Sequence, residues 1–375
     1  MLRLILPVTL FLISLLTIFP APAYPLWLLT IIVDEFPWAP ILVIIICFLF
    51  NIQNAQYPLV TNVFLLGALL LYISPMIKAK IIATDLAERL SANFGQADRL
   101  TQTNNHPFGL VKIFNSVRNI NHTKLTYKHD KQTPLSMDFY PSALGGNRPC
   151  VIVVHGGSWK SGDNTQLPEL NSILSREGYH VAAINYRLAP GSQSPAPVRD
   201  VKDAIAFLKN NSEKWHIDPN RFVLLGRSAG AQIALLAAYT LHEPSIKGVI
   251  DFYGPADMVW GYSIPSNPLI MDSRKVMEDY LGGSYAAVPT NYENSSPILF
   301  TSEKSPPTLL IHGENDPLVA YEHSRRLNLK LQQKGVPHYL LSLPWATHGF
   351  DYNINGPGGQ LSTYAVSYFL NSVTR

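Results

Sequence analysis

A chain of 375 residues in which 47% are hydrophobic and only 15% charged is long enough for one large α/β domain plus an apolar appendage. Its net charge of +3, with no basic stripe or aromatic ladder, gives no support for a nucleic-acid partner. Of two cysteines, Cys47 lies in an apolar run and Cys150 opens a predicted strand, which argues against a disulfide framework or a cysteine-built metal site; no metal and no cofactor is expected.

From residue 2 to residue 77 the charged residues are Arg3, Asp34 and Glu35, whereas ordinary globular charge density begins at Lys78. Residues 1–78 therefore read as a transmembrane anchor region, with a lipid bilayer as partner and several crossings expected. Leu2–Phe19 and Pro58–Ile77 each approach the roughly 20 apolar residues of a spanning helix. Between them, Leu26–Val33 and Ala39–Phe50 are shorter and separated by Asp34, Glu35 and Pro37, as in a broken span, a re-entrant hairpin or two tilted helices. Arg3, the apolar run and "APA" at 21–23 also resemble a secretory signal, although its cleavage would leave the later segments in the membrane. Arg3, Lys78 and Lys80 favour cytoplasmic flanks and an even number of crossings. Three cations do not fix sidedness, and neither do the sequons at Asn121, Asn210 and Asn294.

Residues 79–122 read as a connecting helix and linker. Ile82, Leu86, Leu90 and Phe94 recur every fourth residue, the apolar stripe of an amphipathic helix that either packs on the following domain or walls its entrance.

From residue 123 to 375 the pattern is an opening antiparallel pair, "LTYKHD" and "SMDFYP", followed by strands alternating with helices. "CVIVVHGG", "HVAAINYR", "RFVLLGRS", "KGVIDFYG", "PTLLIHGE" and "HYLLSLP" are the later strands; "PVRDVKDAIAFLKNN" and "AGAQIALLAAYTLH" have helical spacing. The alternation predicts an α/β fold, a mostly parallel sheet with helices on both faces. Residues 254–307 interrupt it with a long Pro-, Ser-, Asn-, Tyr- and Trp-bearing excursion containing one helix-like piece, "SRKVMEDYLGG", and read as a cap or lid.

Gly226-Arg227-Ser228-Ala229-Gly230 matches G-x-S-x-G between a predicted strand and a predicted helix, the context in which a strained turn lifts a serine hydroxyl above a sheet. Near neutral pH a serine needs a base, and the base an orienting acid. Parallel strands bring their carboxyl ends to one edge. Asp316 follows the strand "TLLIH", and His348 lies in a glycine-bearing loop after the last strand, in the chain order Ser, Asp, His. Asp251 and Glu314 compete with Asp316 as the acid; His312 and His155 read as structural. An attacked carbonyl also needs donors for its developing oxyanion, and the turn "HGGSW" supplies the amides of Gly157 and Ser158, with Ala229 as a third. Trp159, Met258, Trp260 and Tyr262 are candidates for contacting substrate.

With "HGGSWKSGD", "NYRLAP", "DPNRFVLLGRSAGAQIA", "HGENDPLV" and "THGF", the last two thirds of the chain resembles the α/β-hydrolases of the esterase/lipase group with an HGGxW oxyanion loop. The resemblance implies an eight-stranded sheet, a Ser228–His348–Asp316 triad and cofactor-free ester hydrolysis. Ser158 stands where relatives of the hormone-sensitive-lipase type carry a third glycine, which brings the chain nearer to small-acyl carboxylesterases, isoprenylcysteine methylesterases and arylformamidases. Tyr186 and Arg187 are expected to brace loops. The leading expectation is a membrane-anchored serine esterase acting on a small-molecule or lipid-like ester. An amidase, formamidase or peptidase using the same triad and a non-catalytic hydrolase-fold binding protein are the alternatives, and nothing fixes the oligomeric state.

Overall fold

The computed structural model describes residues 2–49, 58–97, 106–129 and 134–375. Eight strands form one sheet: β1 (Thr123–Lys128), β2 (Leu135–Tyr140), β3 (Arg148–Val154), β4 (His180–Ile184), β5 (Ile217–Arg227), β6 (Ile246–Phe252), β7 (Thr308–Gly313) and β8 (His338–Leu343). Their order is β1-β2-β4-β3-β5-β6-β7-β8. β1 pairs antiparallel with β2, and β2 with β4; every later pairing is parallel. The central strands "CVIVV", "FVLL" and "GVIDF" are rich in β-branched and other apolar residues and buried throughout, as a sheet covered on both faces requires.

The preceding helices are α1 (Leu2–Ser14), α2 (Tyr24–Glu35), α3 (Trp38–Leu49), α4 (Pro58–Ala83) and α5 (Leu86–Phe94). Within the sheet domain follow α6 (Pro168–Arg176), α7 (Ala196–Asn210), α8 (Ser212–Trp215), α9 (Ala229–Thr240), α10 (Met258–Ser263), α11 (Ser273–Leu281), α12 (Pro289–Asn294), α13 (Glu322–Gln333) and α14 (Pro357–Val373). One face of the sheet buries Val201 and Leu208 of α7, Ile233 and Leu236 of α9, and Leu327 and Leu331 of α13. The other buries Leu170 and Leu174 of α6, Leu361 and Phe369 of α14, and Leu86 and Leu90 of α5.

Three expectations change. The first apolar segment is a 13-residue helix followed by a 3-10 turn at Leu15–Thr17, so it is not a full-length span. Among the described residues α4 is the one single helix long and apolar enough to cross a bilayer; α2 and α3 meet that standard only as a pair bent by 79°. The anticipated helix over 79–94 is divided between the end of α4 and α5, and Phe94 meets Phe369 of α14 edge-on at 4.8 Å. α5 is thus a linker helix packed on the sheet domain and not a wall of the entrance. Finally, the excursion holds three helices where sequence spacing marked only α11. Asp257 and Asp272 start α10 and α11 by accepting from the amides of Trp260 and Lys275, a capping chemistry that hydrophobic periodicity does not register.

α2 reaches across to the sheet domain. The indole N–H of Trp27 donates to the carbonyl of His348 at 3.0 Å. At the helix end, the Glu35 carboxylate accepts from the Gly358 amide at 3.0 Å, supplying a cap to the open amino end of α14. A Cβ at Gly356 would lie 2.2 Å from Glu35 Oε2, so glycine makes room for this contact. Tyr24 donates its amide to Leu269 O, and Asn267 Nδ2 donates to Pro22 O, tying the start of α2 to the excursion.

Candidate active site

Ser228 occupies the corner between β5 and α9 at φ 52°, ψ −120°, a conformation rare for a residue with a side chain. The residues two positions to either side of it must be glycine. A Cβ at Gly226 would stand 2.3 Å from Gly230 O, and one at Gly230 would stand 2.2 Å from Val154 O. The crowded turn leaves Ser228 partly exposed while Arg227 and Ala229 on either side are buried.

The loop after β8 brings His348 Nε2 to 2.9 Å from Ser228 Oγ, and His348 Nδ1 to 2.6 Å from Asp316 Oδ2. Asp316, after β7, is held by the amides of Leu318 and Val319, which donate to Oδ1 at 2.8 and 2.9 Å. Burial acts to raise the Asp316 pKa, but the charge of His348 and the hydrogen bonds of His312 and His348 outweigh it and hold this carboxyl well below the usual range. Asp251, the competing acid, lies in β6 just before its last residue, Phe252, and takes the Gly254 amide at 2.7 Å on Oδ1 while Oδ2 has no partner among the described residues. Burial pushes its pKa up to about 7, against the opposing effects of His312 and the Gly254 amide. Glu314 accepts from the hydroxyl of Ser342, away from the imidazole.

In the turn after β3, Gly157, Ser158 and Trp159 all have positive φ, at 123°, 54° and 59°. No described residue accepts from the amides of Gly157 or Ser158. Ala229 is the first residue of α9, so its amide has no intrahelical acceptor. His155 stacks on Tyr186 at 4.3 Å, and Tyr186 donates its hydroxyl to His155 O. Arg187 Nε bonds Asp200, so both residues of the "NYR" segment brace loops. The Arg227 Nε bonds Asp351 Oδ2 at 2.5 Å, Tyr253 donates to Asp351 Oδ1, and the Tyr253 ring lies 4.4 Å from that of His348. A buried ion pair thereby stiffens the floor beneath the imidazole.

Not every expected contact forms. Trp159 borders a cavity at Ser228, but its indole N–H donates to Gln232 and its ring stacks on Tyr280 at 4.5 Å, so it is chiefly a wall. Met258 is fully buried in the core; Trp260 and Tyr262 face a separate groove with Arg326. The expectation that these three line the acyl pocket is corrected: Met258 is buried in the core, the Trp260 ring meets His323 of α13, and the Tyr262 ring meets Tyr292 of α12. The residues that share a cavity with Ser228 include Met271, Leu318, Trp27 and Ile31. Leu318 lay within the "HGENDPLV" segment. Trp27 and Ile31 carried no signal beyond membrane-like apolarity, and Met271 none at all.

This arrangement can remove a hydroxyl proton, deliver an oxygen nucleophile and hold a nascent oxyanion. Sheet order, strand-turn-helix corner and loop positions define an α/β-hydrolase. The model of the BD-FAE family matches residues 137–331, and the chain belongs to this family of α/β-hydrolase esterases. It is 31% identical over 245 residues to Esterase LipC of Mycobacterium tuberculosis, covering 60% of this chain and 59% of LipC. It is 27% identical over 229 residues to Isoprenylcysteine alpha-carbonyl methylesterase ICME of Arabidopsis thaliana, covering 56% and 53%. The chain thus spans little more than half the length of these curated relatives. Among solved structures it is similar to a bacterial heroin esterase, with TM-score 0.60 and 23% identity over 71% of this chain and 88% of that one, a likeness of fold.

Proposed function

We propose that this protein is a membrane-anchored serine esterase that hydrolyses carboxylic esters. The observation that carries the reading is the continuous Ser228–His348–Asp316 relay, with 2.9 and 2.6 Å between successive partners. His348 takes the hydroxyl proton as Ser228 Oγ attacks the ester carbonyl. The amides of Gly157, Ser158 and Ala229 receive the oxyanion, and Asp316 stabilises the imidazolium. On collapse, His348 returns the proton to the departing alcohol oxygen. Water, deprotonated by the same imidazole, then attacks the acyl-serine and releases the acid, and the proton returns to Ser228.

α4 supplies the anchor in this reading, and the bent pair α2–α3 lies at the boundary between lipid and the sheet domain. Labelling of the full chain by a fluorophosphonate, together with hydrolysis of p-nitrophenyl acetate, tests the chemistry. Both are expected to vanish in Ser228→Ala; turnover surviving that substitution refutes the proposal. Retention of the protein in alkaline-washed membranes tests the anchor, and release by the wash rejects it.

A further inference from the structure

Ser228 stands where two unequal cavities meet. The smaller, about 130 Å³, contains Ala229, Val276 and Met277; the larger, about 690 Å³, contains Gly157 and His348. Ser158, Ser228, Met271 and Leu318 border both, and Ser158 Oγ approaches Met271 Sδ at 3.6 Å, so these side chains form the divide. α2 lines the larger cleft with Trp27, Leu28, Ile31 and Ile32, joined by Phe36 just past its end; Gln166 and Arg227 add polar groups to the lining. The bond from the Trp27 indole to the backbone carbonyl of His348 ties this wall to the loop that carries the imidazole.

Proton traffic decides which half of an ester enters which cavity. The departing alcohol oxygen must lie within hydrogen-bond reach of His348 Nε2 when the tetrahedral intermediate collapses. The alcohol half therefore occupies the cleft that His348 borders, and the acyl half points into the cavity it does not border. We propose, resting on the esterase reading above, that the substrates are short-acyl esters of bulky apolar alcohols, with the alcohol held against α2. An apolar wall of aliphatic and aromatic side chains recognises such a group by removing it from water. α2 also packs against α4, the helix that serves as the anchor in the esterase reading.

The test uses two isomers of equal composition, dodecyl acetate and methyl tridecanoate, with the full-length protein in detergent micelles and ethyl acetate as a small reference. The expected kcat/KM for dodecyl acetate exceeds that for methyl tridecanoate by at least about tenfold, because a long acyl chain overfills the smaller cavity. Leu28→Trp, on the exposed side of α2, and Ile31→Trp, deeper in the cleft, are each expected to lower the ratio of dodecyl acetate to ethyl acetate turnover. Equal rates on the isomers, preference for methyl tridecanoate, or unchanged ratios in folded variants overturn the assignment while leaving the esterase reading intact. Loss of ethyl acetate and dodecyl acetate hydrolysis together in wild-type protein overturns both.

Discussion

His312 and His348 converge on one oxygen of Asp316, with His312 Nε2 at 3.2 Å and His348 Nδ1 at 2.6 Å from Oδ2. One carboxylate oxygen thus serves two imidazoles, while the other is saturated by backbone amides. Asp316→Asn is expected to lower kcat/KM by about 10⁴-fold, since the amide disturbs the imidazole tautomer and no longer stabilises the imidazolium. Steady-state kinetics on p-nitrophenyl acetate measure this. The same residue has a signature in stability. Its folded pKa lies below the unfolded value near 4, so its stabilising contribution is present above about pH 4 and disappears as pH falls through the lower folded value. Acid melts of the wild type should therefore decline more steeply than those of Asp316→Asn.

Asp251 behaves in the opposite sense. With a folded pKa of about 7, the native state keeps a proton that the unfolded chain sheds near pH 4. Stability is consequently lost as pH rises from about 4 to 7 and levels off above that range. Asp251→Asn keeps an oxygen acceptor for the Gly254 amide and removes the ionisation. It is expected to flatten the decline in melting temperature between pH 5 and pH 8 while retaining ester turnover. Loss of turnover in a folded Asp251→Asn protein would return Asp251 to contention as the triad acid.

Gly230→Ala tests the tightness of the nucleophile corner. Its added methyl would meet the carbonyls of Val154 and His155 at 2.2 and 2.3 Å, both fixed by the central strand β3 or its turn. Backbone cannot yield there without moving Ser228 and the oxyanion loop together. A loss of at least about 3 kcal/mol in unfolding free energy is expected, with turnover falling in any protein that still folds. Denaturant titration alongside kinetics separates the two effects.

Glu35→Ala removes the carboxylate that accepts from Gly358 at the amino end of α14. Loss of a helix cap costs about 1 kcal/mol, and here the loss falls on the joint between α2 and the sheet domain. The expected result is faster proteolysis in the segment between α1 and α3 and a lower ratio of dodecyl acetate to ethyl acetate turnover. Unchanged cleavage would show that the other α2 contacts suffice to hold the joint.

The sheet and the serine corner were legible because their physics is local: buried strands need apolar β-formers, and the strained corner needs glycines at fixed offsets. Chain order then selected His348 and Asp316, which the structure brings to Ser228. The substrate walls were not legible in this way. Met258, Trp260 and Tyr262 have pocket-like chemistry, but their orientation depends on how Asp257 starts a short helix and where α12 and α13 sit. Trp27 and Ile31 have the composition of an anchor segment; only tertiary structure reveals that they face an imidazole more than three hundred residues away. The first apolar segment was misread, because hydropathy measures lipid compatibility and does not locate the break after Ser14, whereas Asp34, Glu35 and Pro37 did mark the break between α2 and α3.

The bonds from Pro22, Tyr24 and Trp27 to residues 267, 269 and 348 join α2 to partners far away along the chain. On the ribosome, α2 has no complete docking surface until residues 267, 269 and 348 have been made and folded. A shortened gene that omits this helix to gain solubility would yield an enzyme with its cleft laid open and an apolar rim bared to water, and specificities measured on it would describe a different vessel.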